Sequence, residues 1–148
     1  AYDGCNSLTA IDIPSGVIGI NPYAFTNCLL SVEAITVQDG NSVYRSDGNC
    51  LIDTIERALI LGCKNSVIPN DGSIVKLADN AFYNCGELTS IDVPDGVVEI
   101  GVSAFRYCRK LESVRLPESL TAIKSYAFAI CTALGNVDIP RGVTEIGD

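Results

Sequence analysis

A 23-residue period is the feature of this sequence that most limits the folds open to it. The intervals from Cys5 to Cys28, from Cys85 to Cys108 and from Cys108 to Cys131 are each 23 residues. Each of the four Phe residues stands in an Ala-Phe-x-x-Cys unit, and five of the six Pro residues follow Ile, Val or Leu at the end of a short alternating run. Self-similarity at one fixed interval of this length is typical of a solenoid, in which each coil packs only on its neighbours.

The repeat can be written C-x-x-L-x-x-[IV]-x-[ILV]-P-x-x-[VL]-x-x-I-x-x-x-A-F-x-x, and the copy at 85–107 fits it throughout. Polar and apolar side chains alternate over the residues before Pro94, which predicts a half-buried strand that ends at this proline. Val97 and Ile100 should turn the chain back toward the core. The spacing within Ala-Phe-x-x-Cys predicts a short helical turn that closes each coil on the convex side.

An insertion interrupts the period between Cys28 and Cys85, which are 57 residues apart, or two periods plus 11. Two apolar runs, at 49–53 and 58–63, predict a β-hairpin over approximately residues 41–65. The predicted fold is a β-rich repeat solenoid, a right-handed curved coil of about six repeats with short convex helical turns. We expect one domain over residues 1–148, and the lack of a polar capping segment at either end indicates a fragment of a longer array.

The repeat resembles the surface leucine-rich repeats of the BspA-like proteins of gut and oral bacteria and some mucosal protists. The resemblance rests on Leu-x-x-Ile-x-Val-Pro-Asp-Gly-Val-x-x-Ile-Gly at 88–101 and on the Ala-Phe-x-x-Cys units, and it covers nearly the whole chain. The stretch at 49–63 also looks like an insertion common in these proteins. The resemblance implies a leucine-rich repeat fold and an extracellular, cell-wall-linked or secreted protein whose repeats mediate adhesion. It names no ligand and carries over no contact residue.

The composition narrows the range of partners. The chain has 18 acidic and 10 basic residues, no His and a net charge of -8, which opposes a polyanionic partner such as a nucleic acid. No apolar run approaches the roughly 20 residues that a membrane span needs, so no membrane insertion is expected in this segment. We expect the partner to be a host or microbial surface protein or glycan, and the location to be extracellular or at the cell surface.

The seven cysteines predict neither a metal site nor a catalytic thiol. Five of them are in register and should form one inward column, with side chains that point the same way instead of toward each other. No paired C-x-x-C spacing suggests zinc, and without His a cysteine nucleophile lacks its usual base. We therefore expect a buried, inert cysteine ladder and no cofactor. Cys50 and Cys63 lie outside the register, flank the predicted hairpin, and are candidates for a disulfide if the protein is exported.

The outward position of the predicted strands is the candidate ligand-binding face. Asp92 and Asp138 would lie two rungs apart, about 9 to 10 Å, near the separation of the carboxyl pair in an inverting glycosidase. Arg115 between them would hold both carboxylates ionised, whereas a general acid must keep its proton. No catalytic residue is therefore predicted. The candidate ligand-binding residues of this face are Asp12, Thr36, Asp92, Arg115 and Asp138.

The leading functional hypothesis is a non-catalytic repeat scaffold that binds a protein or glycan in surface adhesion. The alternative is a structural spacer with no ligand of its own, and a glycosidase-type enzyme is a distant third. The strand-face residues are mostly small or charged, which favours the spacer for this segment, since binding faces usually contain aromatic anchors. Tyrosines elsewhere could supply such anchors, namely Tyr23, Tyr44, Tyr83, Tyr107 and Tyr126.

Overall fold

The structure is a computed structural model that describes residues 5, 7–21, 23–25 and 27–148. Across these residues the chain forms eleven β-strands and no helix. In chain order they are β1 (Ala10–Ile13), β2 (Ala34–Val37), β3 (Tyr44–Asp47), β4 (Cys50–Asp53), β5 (Ala58–Leu61), β6 (Lys76–Leu77), β7 (Ser90–Asp92), β8 (Glu99–Ile100), β9 (Ser113–Arg115), β10 (Ala122–Ile123) and β11 (Glu145–Ile146). The predicted repeat solenoid is confirmed, because strands of successive coils pair in parallel.

The strands form two ladders along the solenoid. The first ladder contains the strands that end at the proline position of the repeat, which is Gln38 after β2, and in it β1 pairs with β2 and β7 pairs with β9. The second ladder follows the proline turn and joins β6, β8, β10 and β11 in one register, so that Leu77, Ile100, Ile123 and Ile146 are aligned. Outside the insertion, the sequence predicted strands only for the first ladder. Each second-ladder strand has two residues, which is too short for an alternating pattern to be visible.

The insertion forms a three-stranded meander where the sequence predicted a two-stranded hairpin. β3 pairs antiparallel with β4, β4 pairs antiparallel with β5, and β5 pairs in parallel with β6. The insertion thus extends the second ladder into a seven-stranded sheet. Leu51, Ile52 and Leu59 are at most 1% exposed, so the meander covers the core. β3 was missed because its sequence, Tyr-Arg-Ser-Asp, is mostly polar.

The Ala-Phe-x-x-Cys segments make tight turns, and the predicted convex helical turn is wrong in the described chain. The N–H of Tyr83 donates within its coil to the carbonyl of Asn80, whereas the N–H of Phe82 donates to Ala104 of the next coil. In a helix every N–H would bond to a carbonyl four residues back in its own chain. Here the N–H groups alternate between a carbonyl of their own coil and one of the next coil, which allows the stacked turns to bond to each other. It is accompanied by positive φ at the residue before Ala or before Cys, as at Asn27, Asn80, Asn84, Ser103, Tyr107, Tyr126 and Ile130.

The phenylalanines of three successive coils form a continuous stack in the core. Phe105 is fully buried between Phe82 and Phe128, with ring centroids 5.0 and 5.2 Å away and planes inclined by 10° and 2°. The prediction that Phe105 lies between the coils of Phe82 and Phe128 is therefore confirmed. Offset or parallel ring pairs at this distance stabilise a core beyond the area that they bury.

The register cysteines lie beside this stack. The thiol of Cys108 donates to the carbonyl of Phe82 at 3.1 Å, and Cys131 makes the same contact one coil later. Burial raises the pKa of Cys85 to about 12 and that of Cys131 to about 11, so these thiols stay protonated and unreactive at neutral pH. The column departs from the prediction at its first member: Cys28, Cys85, Cys108 and Cys131 are buried, whereas Cys5 is exposed.

Cys50 and Cys63 are also buried, and the structure holds both as free thiols. The sulfur of Cys50 lies 3.8 Å from the carbonyl oxygen of Val67, and that of Cys63 lies 3.9 Å from the carbonyl oxygen of Asn49. Burial raises the pKa of Cys50 to about 12. A disulfide between the two in an exported protein stays a prediction.

One coil is shorter than the others. Cys63 and Pro69 are six residues apart, whereas Cys85 and Pro94, at the same positions of the next coil, are nine residues apart. Residues 66–68 form no strand, and in the described chain they make no backbone hydrogen bond to the first-ladder strands β2 and β7. The first ladder is therefore interrupted at this coil, while the second ladder continues past it.

Gly62 occupies the place in the shortened coil where other coils carry Ala-Phe. Its N–H donates to the carbonyl of Ala81 at 2.8 Å. The segment therefore joins the stack of Ala-Phe turns from successive coils, which we call the turn column. A Cβ atom at position 62 would overlap the ring of Phe82. Only glycine lets the backbone pass this close to the phenylalanine stack.

Candidate functional site

The strand-face residues predicted to bind ligand lie on the first ladder, where several of them contact each other. Asp12 faces Thr36 across the β1–β2 pair. The hydroxyl of Thr36 donates to Oδ1 of Asp12 at 2.8 Å, and Nε2 of Gln38 donates to Oδ2 at 3.0 Å. Each oxygen of the Asp12 carboxylate thus has a partner within the protein, which leaves this part of the face with little need of a ligand.

Asp92 and Arg115 form the next part of the strand face. They are opposite each other in the β7–β9 pair, with Nε of Arg115 3.8 Å from Oδ2 of Asp92. The side chain of Arg115 is 53% exposed and that of Asp92 is 77% exposed. An exposed pair of this kind contributes at most about 1 kcal/mol. Asp138 is exposed, lies outside any strand, and forms no ion pair with Arg115 in the described chain. The predicted ladder of three charges is therefore reduced to one pair, because no strand follows β9 in this ladder.

The outer side of the second ladder is a network of paired charges. Nζ of Lys124 lies 2.7 Å from a carboxylate oxygen of Glu145 and 3.6 Å from one of Glu99. The hydrogen bond to Glu145 raises the pKa of Lys124. These side chains are partly exposed and neutralise one another, which is typical of a solvated face.

The turn column carries a groove that combines aromatic, cationic and anionic side chains. Its volume is about 430 Å³, and small-ligand clefts typically have roughly 300 to 1,000 Å³. Four Ala-Phe turn segments and the residues just before them contribute to it. We call it the tyrosine–arginine groove, and its lining residues are Tyr23, Asp79, Asn80, Tyr83, Val102, Ser103, Arg106 and Tyr126.

Arg106 is the cation of the tyrosine–arginine groove. Its Cζ atom lies 5.0 Å from the ring centroid of Tyr107 and 5.2 Å from that of Tyr126, so two rings hold the guanidinium through cation–π contacts. The Nε atom is buried without a hydrogen-bond partner, and no carboxylate of the described residues lies within 4.0 Å of the guanidinium. A half-buried charge without a counter-ion is unfavourable, so Arg106 is a side chain that an anionic ligand would stabilise.

Asp79 lies in the same groove but does not neutralise Arg106. Its Oδ1 atom accepts a hydrogen bond from the N–H of Val102 on the next coil at 2.7 Å, which fixes the carboxylate in place. The side chain is exposed, and its other oxygen has no hydrogen-bond partner among the described residues. The groove therefore presents an unpaired cation and a half-satisfied anion at separate points.

The turn geometry that makes the groove is strained at two tyrosines. Tyr107 and Tyr126 have φ values of 65° and 60°, in the left-handed region that bulky residues rarely adopt. Other coils hold asparagine at these positions, with Asn84 before Cys where Tyr107 stands and Asn80 before Ala where Tyr126 stands, and asparagine tolerates this conformation well. Strain of this kind is concentrated at functional sites in proteins, which makes the two tyrosines functional candidates.

The sequence analysis identified part of this groove. Arg106 and Asp79 were missed, because their unpaired state depends on how neighbouring coils stack and one repeat does not show it. One feature of the sequence could have indicated Arg106: Arg106 and Tyr107 occupy the two variable positions of an Ala-Phe-x-x-Cys unit. Tyr44 is no anchor, since it is buried and its hydroxyl accepts from the N–H of Ile20 at 3.0 Å. The tyrosines suggested as anchors that line the groove are Tyr23, Tyr83 and Tyr126.

A second recess, of about 450 Å³, lies at the first coil. Its lining includes inward-facing residues such as Ile13, Val17 and Phe25, with few polar groups besides Asp12 and Asn21. Its described lining lacks the converging polar groups that orient a ligand.

The described residues contain no group of three or more His, Cys, Asp or Glu side chains that could hold a metal ion. Within this part of the chain, no helix has the length and apolar character that a bilayer crossing requires.

Known proteins share both the repeat and the fold. A family model described as a BspA type leucine rich repeat region matches six copies over residues 1–51 and 53–148. A leucine-rich cell surface protein from Faecalibacterium prausnitzii is 32% identical with a TM-score of 0.81, and the pneumococcal vaccine antigen PcpA is 25% identical with a TM-score of 0.82. A leucine-rich repeat protein from Bacteroides capillosus is 27% identical with a TM-score of 0.64.

The matches differ in how much of each protein is shared. The chain is covered to 95% by the first two structures but spans only 38% and 35% of their lengths, respectively. The third covers 71% of the chain, which spans 88% of it. No curated protein matches the sequence. None of these three structures is described as an enzyme.

Proposed function

The chain belongs to the BspA-type leucine-rich repeat family, and from that membership we propose that it is a non-catalytic binding module of an extracellular or cell-surface protein. The names of two similar structures, a cell surface protein and a vaccine antigen, support this location. The proposed partner is a host or microbial surface protein or glycan, and the proposed role is adhesion.

The observation that carries the proposal is the unpaired guanidinium of Arg106 in the tyrosine–arginine groove. Tyrosine and arginine are the residues most enriched at the centres of binding surfaces, since they combine large apolar area with directional polar groups. Tyr126 is 51% exposed and Tyr23 is 64% exposed, so both rings are accessible to a partner. Solvent-exposed aromatic rings beside a cation without a counter-ion are typical of a binding site. Such exposed rings do not contribute to packing of the core.

The distribution of carboxylates supports a non-catalytic role. Glycoside hydrolysis usually needs two carboxyl groups that flank one bond, and Asp79 is the one carboxylate among the described residues that line the groove. On the strand face, Asp92 is exposed and paired with Arg115, and no second carboxylate of the described residues stands opposite it in the ladder.

A structural spacer is the second candidate function, and the strand face supports it. Its side chains satisfy one another through the Asp12–Thr36 contact and the Asp92–Arg115 pair. If the face binds a ligand after all, the contact residues are those predicted from the sequence, which are Asp12, Thr36, Asp92, Arg115 and Asp138.

The test is binding of the 148-residue chain to a panel of mucosal glycans and matrix proteins by surface plasmon resonance. Tyr126→Leu and Arg106→Gln remove groove features, and Arg115→Gln is the matched control on the strand face. We expect the two groove variants to lose binding and the control to retain it. Loss with Arg115→Gln alone would locate binding on the strand face, and absence of binding by the parent chain would favour the spacer. Circular dichroism and melting curves verify that each variant folds.

A further inference from the structure

We infer that the tyrosine–arginine groove binds a sugar that carries a single carboxylate, such as a hexuronic acid. This inference rests on the proposed function and specifies its ligand. Three properties of the groove lead to it: an unpaired guanidinium, a fixed carboxylate with one open oxygen, and accessible tyrosine rings.

The guanidinium requires an anion with limited charge. Arg106 is half-buried, its side chain donates no hydrogen bond within the described chain, and a planar carboxylate can accept from the two terminal nitrogens of such a group in bidentate geometry. The net charge of -8 and the nearby Asp79 oppose a polyanion. One carboxylate on an otherwise neutral ligand satisfies Arg106 without that repulsion.

Asp79 requires hydrogen-bond donors on the same ligand. Since Oδ1 of Asp79 is held by the N–H of Val102, its other oxygen can accept from a hydroxyl group without moving. A sugar acid has several hydroxyl donors beside its carboxylate, so it can satisfy both charged side chains. A simple organic anion has no donor for Asp79.

The tyrosines favour a ring over an extended peptide. The accessible rings of Tyr23 and Tyr126 offer apolar faces against which the C–H face of a pyranose can pack. A peptide bound as an added strand would need free backbone groups. In this groove the N–H groups of Asn80 and Ser103 are already bonded to the next coil, at 2.9 and 3.0 Å.

The experiment measures binding of methyl β-glucuronide and methyl β-glucoside to the parent chain by calorimetry and by NMR titration. The two probes differ only at the carboxylate. We expect the glucuronide to bind at least about tenfold more tightly, since a charge-assisted bidentate contact is the difference between them. Arg106→Gln should abolish this preference, and Arg106→Lys should restore part of it, because lysine keeps the charge and loses the planar fork. Arg141→Gln, at an exposed position outside the groove and the strand face, should leave the preference unchanged.

Several outcomes would overturn the inference. They are equal binding of the two glycosides, a preference that survives in Arg106→Gln, and tighter binding of phosphocholine or of a glutamate-containing peptide than of the glucuronide. The proposed function fails separately. If a partner from the panel binds through Tyr126 while the glucuronide shows no preference, the binding module stands and its assignment to acidic sugars falls. A chemical-shift map in which the glucuronide perturbs resonances outside the groove would also refute the assignment.

Discussion

Replacement of Gly62 by alanine should destabilise the chain strongly, although position 62 lies outside the repeat motif. The new Cβ atom would overlap the ring of Phe82, which is fully buried and cannot turn into solvent. Overpacking of this kind usually costs about 1 to 3 kcal/mol. Displacement of the ring would also weaken its stack on Phe105, 5.0 Å away, which contributes about 0.5 to 1.5 kcal/mol. The expected loss in the free energy of unfolding is therefore about 2 to 4 kcal/mol.

The assay is urea unfolding followed by circular dichroism for a double-mutant cycle. Phe82→Leu alone should destabilise the chain by about 1 to 3 kcal/mol through a partial cavity. In the double variant the methyl group of Gly62→Ala would enter that cavity, so the two losses should not add, and the coupling energy should reach at least about 1 kcal/mol. Gly19→Ala is the matched control, since a Cβ atom there has no neighbour within 4 Å, and its effect should stay within about 0.5 kcal/mol.

The reasoning is refuted by either of two results. If Gly62→Ala behaves like Gly19→Ala, the shortened coil does not pack on Phe82 as described. If the two losses in the cycle add, the alanine acts elsewhere, for example through the hydrogen bond from the Gly62 N–H to Ala81.

Four further predictions concern the core, the thiols, the turns and the strand face. Phe105→Ala should cost about 3 to 5 kcal/mol in urea unfolding, whereas Phe128→Ala, at a half-buried position, should cost clearly less; equal losses would contradict the stack. Burial raises the pKa of Cys85 from an ordinary 9.0 to about 12, so the folded chain keeps this proton above pH 9 and the unfolded chain does not. Stability is therefore complete below pH 9 and falls above it by about 1.4 kcal/mol per pH unit for each such thiol, and unfolding midpoints of Cys85→Ala should decline less steeply between pH 9 and 11. Ile130→Asn should raise stability by roughly 1 kcal/mol, because the β-branched side chain has a φ of 61° there; a lower melting temperature would show that this turn is unstrained. Arg115→Ala should lower the free energy of unfolding by at most about 1 kcal/mol at low salt, and a larger loss would show that the exposed pair has further partners.

The period of the sequence was sufficient to predict the solenoid and the two neighbours of Phe105, because residues one period apart occupy the same place on adjacent coils. It was not sufficient to predict strands that are too short or too polar to show an alternation of apolar and polar residues. Glu99–Ile100 has two residues, and the polar Tyr44–Asp47 joins the sheet through its backbone, so neither shows an apolar alternation. The helical turn was predicted from spacing alone, and the spacing of Ala104 and Cys108 is also satisfied by a chain that alternates in φ.

The candidate site could be predicted only in part for a related reason. Exposed tyrosines are visible in a sequence as potential anchors, and three of them line the groove. The missing counter-ion of Arg106 is a property of four stacked segments, and a linear pattern does not show which carboxylates end up out of reach. The converse holds for Asp138, where the pattern placed a charge beside Arg115 and the absence of a strand separated them.

The interruption of the first ladder at residues 66–68 has a mechanical consequence. Under tension along the solenoid axis, load passes from coil to coil through backbone hydrogen bonds, and at this coil those bonds lie in the seven-stranded sheet and in the stacked turns, where the N–H of Gly62 donates to Ala81. The first-ladder side has no strand-to-strand backbone bonds at this coil and is joined to the preceding coil by side-chain bonds such as that from Nδ2 of Asn65 to the carbonyl of Glu33, so the coils should separate there first while the sheet holds. The chain should therefore yield at this coil by bending open toward the first-ladder face, which gives the solenoid a preferred direction of flexure.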